Sequence, residues 1–576
     1  MENILKDSLK IKKYAEIQKN LDDLESNSSD EEITKIINLI PPNFLTQKDD
    51  LAIICQLFAY IARNNCQTKK GNAIKLFEKI LDSIKQQFKN DSSFFWQIFG
   101  GILFLKHWFY EEGLIFIEDI VQRSRSDTTL TIAEYFLPEI IEKEPDFYDK
   151  ELKAKFKDKL TEGYIENYKE TRKKYFQWSR NSSNYNDPLY REIETNQFRY
   201  ALKTDDVDTF QKILSNSNMS FNSQISELIY ESYARFPRDF YLIEFAVRYN
   251  SINIFKFLIL NNVDAKCASF LAITQRNYEI IHVIESMMPN EFENEVLGDS
   301  ISSWNDEMIE YSINNFDFDY FEKSDVDNEH NEQILTVISD TCFASNYVFL
   351  ENYLLPFLNK NPRFVDENIN EILIRCIDDH SSYFFKEFLK HPKANINYHS
   401  KDEEKSILVE AVQSHNFYVI KELFKYPELD IVSPGFRNFS PFQVACSIKS
   451  NLEIIKLFCD HPKFDINWKD SHHHLSAFQF SVTKQNTYAT EYLLNRYHNI
   501  ERWHSTALFF FCISNNVLLT LKILLKHYIR IYEFDDEIII QDYKKSASSF
   551  NGYKDDHLDV LKSLLLEIRE NKIEHE

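Results

Sequence analysis

The fold is decided by the stretch Ser440-Pro441-Phe442-Gln443-Val444-Ala445, because its pattern returns at regular intervals along the C-terminal part of the chain. Similar starts at Ser406, Ser476 and Thr506 are spaced by roughly 30–36 residues, the length of one unit in many repeat proteins. Each start is followed by a second apolar cluster, as in Ile454-Ile455-Lys456-Leu457-Phe458. Two apolar clusters per unit at helical spacing predict two short helices per unit.

The residue types in this pattern have physical reasons. Ser or Thr is a preferred N-cap, since its oxygen accepts hydrogen bonds from the free N–H groups of the first turn. Pro441 suits that first turn, and the small Ala445 lets a neighbouring helix approach. The turn between the two helices needs a residue that tolerates the left-handed conformation, and Asn is the best choice after Gly. We therefore predict left-handed turn residues at Asn250, Asn277, Asn416, Asn486 and Asn515.

The loops after the second helices carry a further match. Lys393-Ala394-Asn395-Ile396-Asn397 and Lys463-Phe464-Asp465-Ile466-Asn467 each follow a His-Pro pair, and Pro prevents the preceding helix from continuing. Openings and loops together resemble the ankyrin repeat, which has a period of about 33 residues. This resemblance implies an all-α chain in which residues 191–576 form an ankyrin-type helical solenoid of about ten or eleven repeats, clearest over 370–530.

The arrangement as a whole is similar to the large ankyrin families of some protists, in which a helical N-terminal region of unknown function precedes degenerate repeats. One departure concerns the histidine of the family's opening motif, whose hydrogen bonds tie repeats together. Its place is taken by Val409, Gln443, Gln479 and Phe509. Since only Gln can partly replace it, we expect the array to depend more on aromatic packing and less on hydrogen bonds between repeats.

Residues 1–190 predict an N-terminal helical domain followed by a linker. Apolar residues recur there at helical spacing, and the apolar run Phe94–Leu105 is too short to cross a membrane. Residues 150–180 are rich in Lys and Arg; they form either a basic contact strip or, as we favour, a solvated helix or linker. Asn181–Pro188 is the best candidate for the linker itself.

Charge and composition limit the functions that are open to the chain. The net charge is −24, and most of it lies after residue 190, which disfavours nucleic acid and anionic membranes and favours a partner with a basic surface. Only 8 Gly are present, and no glycine-rich phosphate loop occurs, so we expect no cofactor. The 8 Cys form no metal-binding spacing, and the N-terminus has no apolar signal segment. These features predict an intracellular, cytoplasmic protein.

Aromatic and basic residues in the predicted loops are the candidate binding residues, because the core of a repeat does not need them and such side chains are common anchors of interfaces. An alternative is that they fold back over the next loop. Metal binding by the adjacent histidines is disfavoured, since adjacent side chains point in different directions and no spaced ligand set accompanies them. The candidates are Tyr398, His399, Phe436, Arg437, Phe439, Trp468, His472, His473 and His474.

The sequence therefore favours a non-catalytic protein–protein interaction scaffold or adaptor that uses the concave face and loops of an ankyrin solenoid. Two alternatives stay open. One is an enzyme with an unrecognised catalytic site in residues 1–190, which a cleft with converging polar groups would support. The other is a structural protein that self-associates through its N-terminal helices. No catalytic motif is found, and the oligomeric state does not follow from the sequence.

Overall fold

The computed structural model is built almost entirely of helices. It describes residues 8–573 apart from 26–27, 65–69, 90, 100–101, 128–129, 158–162, 183, 230, 232–238, 317, 319–320, 322–329, 379–382, 401–404, 434–438, 449–451, 470–474, 498–507, 509–510, 516, 533–535 and 550–554. The all-α expectation is therefore confirmed at the level of fold class.

Two compact units make up the chain, Met1–Ala394 and Asn395–Glu576. The first part of unit 1 contains α1 (Ser8–Asp22), α2 (Asp30–Leu39), α3 (Pro42–Thr46), α4 (Lys48–Asn64), α5 (Lys70–Phe88), α6 (Ser92–Ile98), α7 (Leu103–Glu111), α8 (Ile117–Ser126), α9 (Thr131–Tyr135), α10 (Leu137–Lys143), α11 (Pro145–Phe147) and α12 (Tyr164–Asn181). A π-helical turn, Tyr148–Leu152, extends α11.

The rest of unit 1 contains a short antiparallel ribbon and further helices. The strands are β1 (Gln224–Ser226) and β2 (Asp239–Tyr241), with Ile225 opposite Phe240. The helices are α13 (Pro188–Ile193), α14 (Gln197–Lys203), α15 (Val207–Ser215), α16 (Leu242–Arg248), α17 (Ile252–Leu260), α18 (Ser269–Gln275), α19 (Tyr278–Met287), α20 (Pro289–Ser302), α21 (Asp306–Asn315), α22 (Asn331–Ala344), α23 (Tyr347–Phe349), α24 (Leu355–Lys360), α25 (Pro362–Arg375) and α26 (Tyr383–Leu389). A π-helical segment, Leu350–Leu354, makes α23 and α24 continuous, and 3₁₀ turns lie at Lys266–Ala268 and Cys376–Asp378.

Unit 2 begins with three consecutive helix pairs. Pair 1 is α27 (Ile407–Gln413) and α28 (Phe417–Leu423), pair 2 is α29 (Pro441–Ser447) and α30 (Leu452–Asp460), and pair 3 is α31 (Ala477–Thr483) and α32 (Thr487–Arg496). The first helices of successive pairs contact one another, and so do the second helices. The unit ends with α33 (Leu518–Tyr532), α34 (Asp536–Ser549) and α35 (Asp555–Ile573).

Serine begins the first helix of each of these pairs. The Ser406, Ser440 and Ser476 hydroxyls accept hydrogen bonds from the third backbone N–H of the helix that follows. In pairs 2 and 3, Gln443 and Gln479 also accept a hydrogen bond from the backbone N–H of the capping serine. The predicted N-caps are thus confirmed at these three positions, and the glutamines complete a reciprocal cap.

Asparagine begins the second helices, and the prediction of its backbone conformation was wrong at most positions. Asn250 is left-handed, with φ 58°. Asn277, Asn416 and Asn486 have φ near −85°, and each is an N-cap whose side-chain oxygen accepts a backbone N–H. The left-handed residues precede them: Arg276, His415 and Gln485. Asn515 is not among the described residues with positive φ. The cap requires a negative φ because the side chain must face the helix that it begins, so the turn falls on the preceding residue.

Asparagine and glutamine side chains also link successive helical units. In unit 1, Asn305 Nδ2 donates to Ile273 O at 3.0 Å and Asn346 Nδ2 donates to Ile301 O at 3.0 Å. In unit 2, Asn486 Nδ2 donates to Cys446 O at 3.0 Å, and Gln443 Nε2 donates to Leu475 O at 2.9 Å. Amide side chains therefore supply hydrogen bonds between pairs, and they include Gln443 at the position of the opening motif's histidine as well as Asn486 at the start of a second helix.

Within unit 1, the N-terminal helices pack on the turns of later helices. Gln18 of α1 accepts the backbone N–H of Tyr347 at 2.6 Å and donates to Asn346 Oδ1 at 2.9 Å. Tyr60 of α4 stacks on Trp304, with ring centroids 4.1 Å apart. A division into domains at residue 190 stays a prediction, but these side chains connect the two sides of that position directly.

The basic segment before residue 181 is helical over α12, and this helix has a buried face as well as solvent-exposed lysines. Helix α12 buries Tyr175 and Trp178 completely. The proposed linker is a short hydrogen-bonded turn, since Trp178 Nε1 donates to Asn184 O at 2.9 Å and Asp187 caps α13. The sequence interpretation missed these contacts because most Lys and Arg residues of the helix, though not Arg172, lie on its solvent-exposed face.

Candidate functional site

The loops that precede pairs 1 and 3 fold as the bases of two hairpins. His399 forms an antiparallel bridge with Ser406, and Lys469 forms the equivalent bridge with Ser476. The first base is reinforced by Ser400 N donating to Lys405 O at 2.9 Å and by Ile407 N donating to Tyr398 O at 3.1 Å. The capping serines therefore have two roles, because they close the hairpins and begin the helices.

Tyr398 and Trp468 occupy equivalent positions, each directly before the bridging residue. Both side chains are half-buried, so each keeps some accessible aromatic surface beside a hairpin base. Two of the candidate anchors thus take equivalent positions before pairs 1 and 3. This equivalence supports treating them as one surface, which we call the hairpin-base surface and define by Tyr398, His399, Trp468 and Lys469.

Two other candidates are engaged in packing between successive units. His399 Nε2 and Ser433 Oγ are hydrogen-bonded at 2.9 Å, which ties the first hairpin base to the next loop. Phe439, directly before Ser440, packs its ring at 4.7 Å from the ring of Phe480 in α31. Phe439 therefore packs back on the neighbouring unit.

The remaining candidates, Phe436, Arg437, His472, His473 and His474, lie outside the described residues. Among the residues that the structure does describe, no group of three or more His, Cys, Asp and Glu side chains could hold a metal ion. The described helices also include none that is long and apolar enough to cross a membrane.

Unit 1 contains a cleft that sequence reasoning did not identify. Its volume is about 620 Å³, and its walls come from α12, α7 and one residue of α5. The lining residues are Ile74, His107, Trp108, Glu111, Lys169, Arg172, Lys173, Phe176, Gln177, Arg180 and Asn181. The sequence shows the basic segment before residue 181, but only the tertiary structure shows that this segment faces α7 across a cleft.

A buried ion pair fixes the floor of this cleft. Arg172 Nη1 donates to Tyr135 O at 2.7 Å, and Arg172 Nη2 donates to Glu139 Oε1 at 2.5 Å. Burial alone would raise the pKa of Glu139, but the hydrogen bond from His107 and the charge of Arg172 outweigh it and hold this pKa at about 2. Glu139 is therefore a carboxylate at every physiological pH, and it orients both Arg172 and His107.

A cleft with converging polar groups is the feature that would support an enzyme in the N-terminal region. Among the described residues that line it, none is a Ser, Thr or Cys that could serve as a nucleophile. His107 and Glu111 are its acid–base side chains, 3.9 Å apart. The lining is thus suited to binding a polar ligand.

No family model matches the sequence, and a comparison with curated proteins finds no match either. The resemblance to ankyrin repeats consequently stays a prediction that rests on the motifs of the chain. Function has to be argued from the geometry of its own residues.

Proposed function

We propose that the chain is a non-catalytic protein-binding scaffold or adaptor, in which ankyrin-type repeats bind a folded protein through the hairpin-base surface and the adjoining first helices. The observation that carries the proposal is that pairs 1 and 3 share a hairpin base, a serine-capped first helix and an asparagine-capped second helix, while pair 2 between them has the same serine cap. Such a series presents loops at a fixed spacing, which is how solenoid proteins form extended binding faces.

The stiffness of the pairs supports this role. Binding loses less free energy to ordering when the contact residues are held before the partner arrives. Asn486 joins pair 3 to pair 2 through Cys446 O, and Asn397 joins the loop before pair 1 to the loop before pair 2 through Glu428 O and the Asp430 N–H. Hydrogen bonds between neighbouring loops and pairs therefore hold the backbone that carries the hairpin-base side chains.

The chemistry of the surface suggests the kind of partner. Tyr398 and Trp468 are large, half-buried aromatic side chains of the type that anchors interfaces. The excess of acidic residues after position 190 favours a partner with a basic surface and disfavours nucleic acid and membranes. An intracellular, cytoplasmic setting fits the 8 Cys without metal spacing and remains part of the proposal.

The N-terminal helices fit the role of a cap better than that of a separate module. They cover the turns around Trp304 and Asn346 in unit 1 and satisfy backbone groups there. Terminal units of repeat arrays need such a covering, because each repeat buries its apolar face only against its neighbours. Self-association through these helices is the competing role, and light scattering of the full chain distinguishes the two.

The test is affinity capture with the full-length chain. Wild type is compared with Tyr398→Ala/Trp468→Ala and with Phe270→Ala, a control that removes an aromatic side chain 41% exposed in unit 1. We expect a defined protein to be retained by wild type and by Phe270→Ala, lost by the double variant, and released by increasing salt. Identical captured proteins for wild type and the double variant would contradict a role for the hairpin-base surface.

A further inference from the structure

The cleft of unit 1 has one wall made by a single face of α12. Lys169, Lys173, Phe176 and Arg180 are separated by four, three and four residues, which places them on one stripe of a helix. The stripe is roughly 16 Å long at 1.5 Å per residue. Three cations with an aromatic ring between them therefore face His107, Trp108 and Glu111 of α7 across the cleft.

The cations on this stripe are available to a ligand. Lys169 lies 3.6 Å from Glu142, and Arg180 lies 2.9 Å from Glu78, but both pairs are solvent-exposed. Exposed ion pairs contribute little free energy, so a ligand can replace either carboxylate. Lys173 is exposed and forms no ion pair with any residue that the structure describes.

His107 provides an independent sign that a hydrogen bond in this cleft is unfilled. Its side chain is only 6% exposed, and its buried Nδ1 forms no hydrogen bond within the described residues, since Glu111 Oε1 lies 3.9 Å from it. The other ring nitrogen, Nε2, lies 3.5 Å from Glu139 Oε1. A buried nitrogen without a hydrogen bond is costly to a folded protein, and at the wall of a cleft a ligand can supply the missing hydrogen bond.

We propose that this cleft binds a nucleoside phosphate. The phosphate groups lie along Lys169, Lys173 and Arg180, and the base stacks on Phe176. Glu111 and His107 receive the sugar hydroxyls, while Gln177 and Asn181 hydrogen-bond the polar edge of the base. Since the chain has no glycine-rich phosphate loop, side-chain cations rather than backbone N–H groups hold the phosphates.

The shape of the site favours a small molecule over an acidic peptide. A volume of about 620 Å³ lies within the range of small-molecule sites, roughly 300–1,000 Å³. The aromatic ring sits between two cations on the same stripe, and this order suits a ligand that carries a ring and an anionic group at a short distance. A peptide carboxylate would require only the cations.

Isothermal titration calorimetry on the full-length chain tests the proposal. The titrants are ATP, GTP, CTP and inorganic pyrophosphate, and co-sedimentation with vesicles that contain a phosphoinositide tests a lipid source of the phosphate. Lys169→Gln/Lys173→Gln is compared with the matched control Lys150→Gln/Lys153→Gln, which removes two exposed lysines outside the cleft. Circular dichroism melting shows whether each variant is folded.

We expect saturable binding of at least one nucleoside triphosphate, weakened more than about tenfold in Lys169→Gln/Lys173→Gln and unchanged in the control, because two charge-assisted contacts are lost. Phe176→Ala should weaken nucleotide binding and leave pyrophosphate binding unaffected. The proposal is overturned if folded protein binds no nucleotide at millimolar concentration, if both double variants bind equally, or if only vesicles bind.

Discussion

Lys203 Nζ lies 2.6 Å from Glu231 Oε2, and both side chains are completely buried. The same ammonium donates to Glu194 Oε2 at 2.9 Å and to the Tyr190 hydroxyl at 2.8 Å. Glu231 in turn accepts a hydrogen bond from Tyr190, and its backbone carbonyl accepts one from Lys70 of α5 at 2.9 Å. A buried polar network therefore joins the N-terminal helices to the segment after residue 190.

Replacing Lys203 with Met should destabilise unit 1 strongly. Removal of the ammonium leaves two buried carboxylates without their shared cation, and breaking a buried pair in this way costs about 3–5 kcal/mol. Chemical denaturation followed by circular dichroism measures the loss as a lower transition midpoint. Lys203→Met/Glu231→Gln should recover part of it, because one buried charge is removed as well.

The matched control is Lys256→Met. Lys256 also pairs with a glutamate, Glu279, but both side chains are about half exposed. Such a pair contributes about 0–1 kcal/mol, so the transition should hardly move. Equal effects of the two lysine substitutions would show that the buried network does not hold unit 1 together.

Asn486→Ala should loosen the contact between pairs 2 and 3 of unit 2. The side chain caps α32 through the Ala489 N–H and donates to Cys446 O, so the substitution removes a cap and leaves a buried carbonyl unpaired. Together these effects cost about 1–3 kcal/mol. Hydrogen exchange should show faster exchange for the amides at the start of α32, whereas Asn515→Ala, at an exposed side chain, should change little.

The stability of unit 1 should fall as the pH rises from about 4 to about 7. Burial, together with the charges of Glu295 and Asp340, raises the pKa of Asp299 from 3.8 to about 7. Burial likewise raises the pKa of Asp340 from 3.8 to about 6. Because these pKa values are higher in the folded chain, the unfolded chain loses its protons first, and increasing pH through this window favours unfolding.

Asp340→Asn tests this pH dependence. At pH 8 the substitution removes a carboxylate that is costly to ionise, so it should stabilise unit 1 by about 1–3 kcal/mol. Near pH 4 the carboxyl group is already protonated in the folded chain, and the effect should be small. Thermal melting at both pH values measures the difference; an equal shift at the two values would exclude an ionisation effect.

Thiol labelling should distinguish one cysteine from the others that the structure describes. Cys267 is exposed, whereas Cys55, Cys342, Cys376, Cys446, Cys459 and Cys512 are buried free thiols. Burial also raises the pKa of Cys512 to about 12, which further suppresses the reactive thiolate. Mass spectrometry after brief maleimide treatment should find Cys267 modified first. Rapid labelling of Cys342 or Cys376 in folded protein would contradict the packing of unit 1.

Much of the helical architecture could be predicted from local sequence. The serines at 406, 440 and 476 begin helices because their side chains satisfy the first-turn N–H groups, an interaction within a few residues. The asparagine before each second helix was also recognised as a turn signal, but its backbone conformation was assigned wrongly. Capping and turning are alternative uses of the same side chain, and local pattern does not choose between them.

Some residues of the candidate sites could be predicted from sequence, and others could not. Tyr398 and Trp468 could be selected from sequence because they are aromatic residues in predicted loops, where the core of a repeat does not need them. The packing of Phe439 on Phe480 could not, since the two residues belong to successive units. The cleft of unit 1 was equally hidden, because α7 and α12 are far apart in sequence.

By itself, the sequence determined the helical class, the serine-capped starts, the acidic surface and the period of the C-terminal units, since these depend on composition and on contacts within a few residues. Tertiary structure alone decided which polar groups became buried partners. Lys203 and Glu231, Gln18 and Asn346, and His107 and Glu139 are ordinary polar residues until folding removes them from water. Burial then makes each hydrogen bond obligatory, and only long-range packing determines which partner satisfies it.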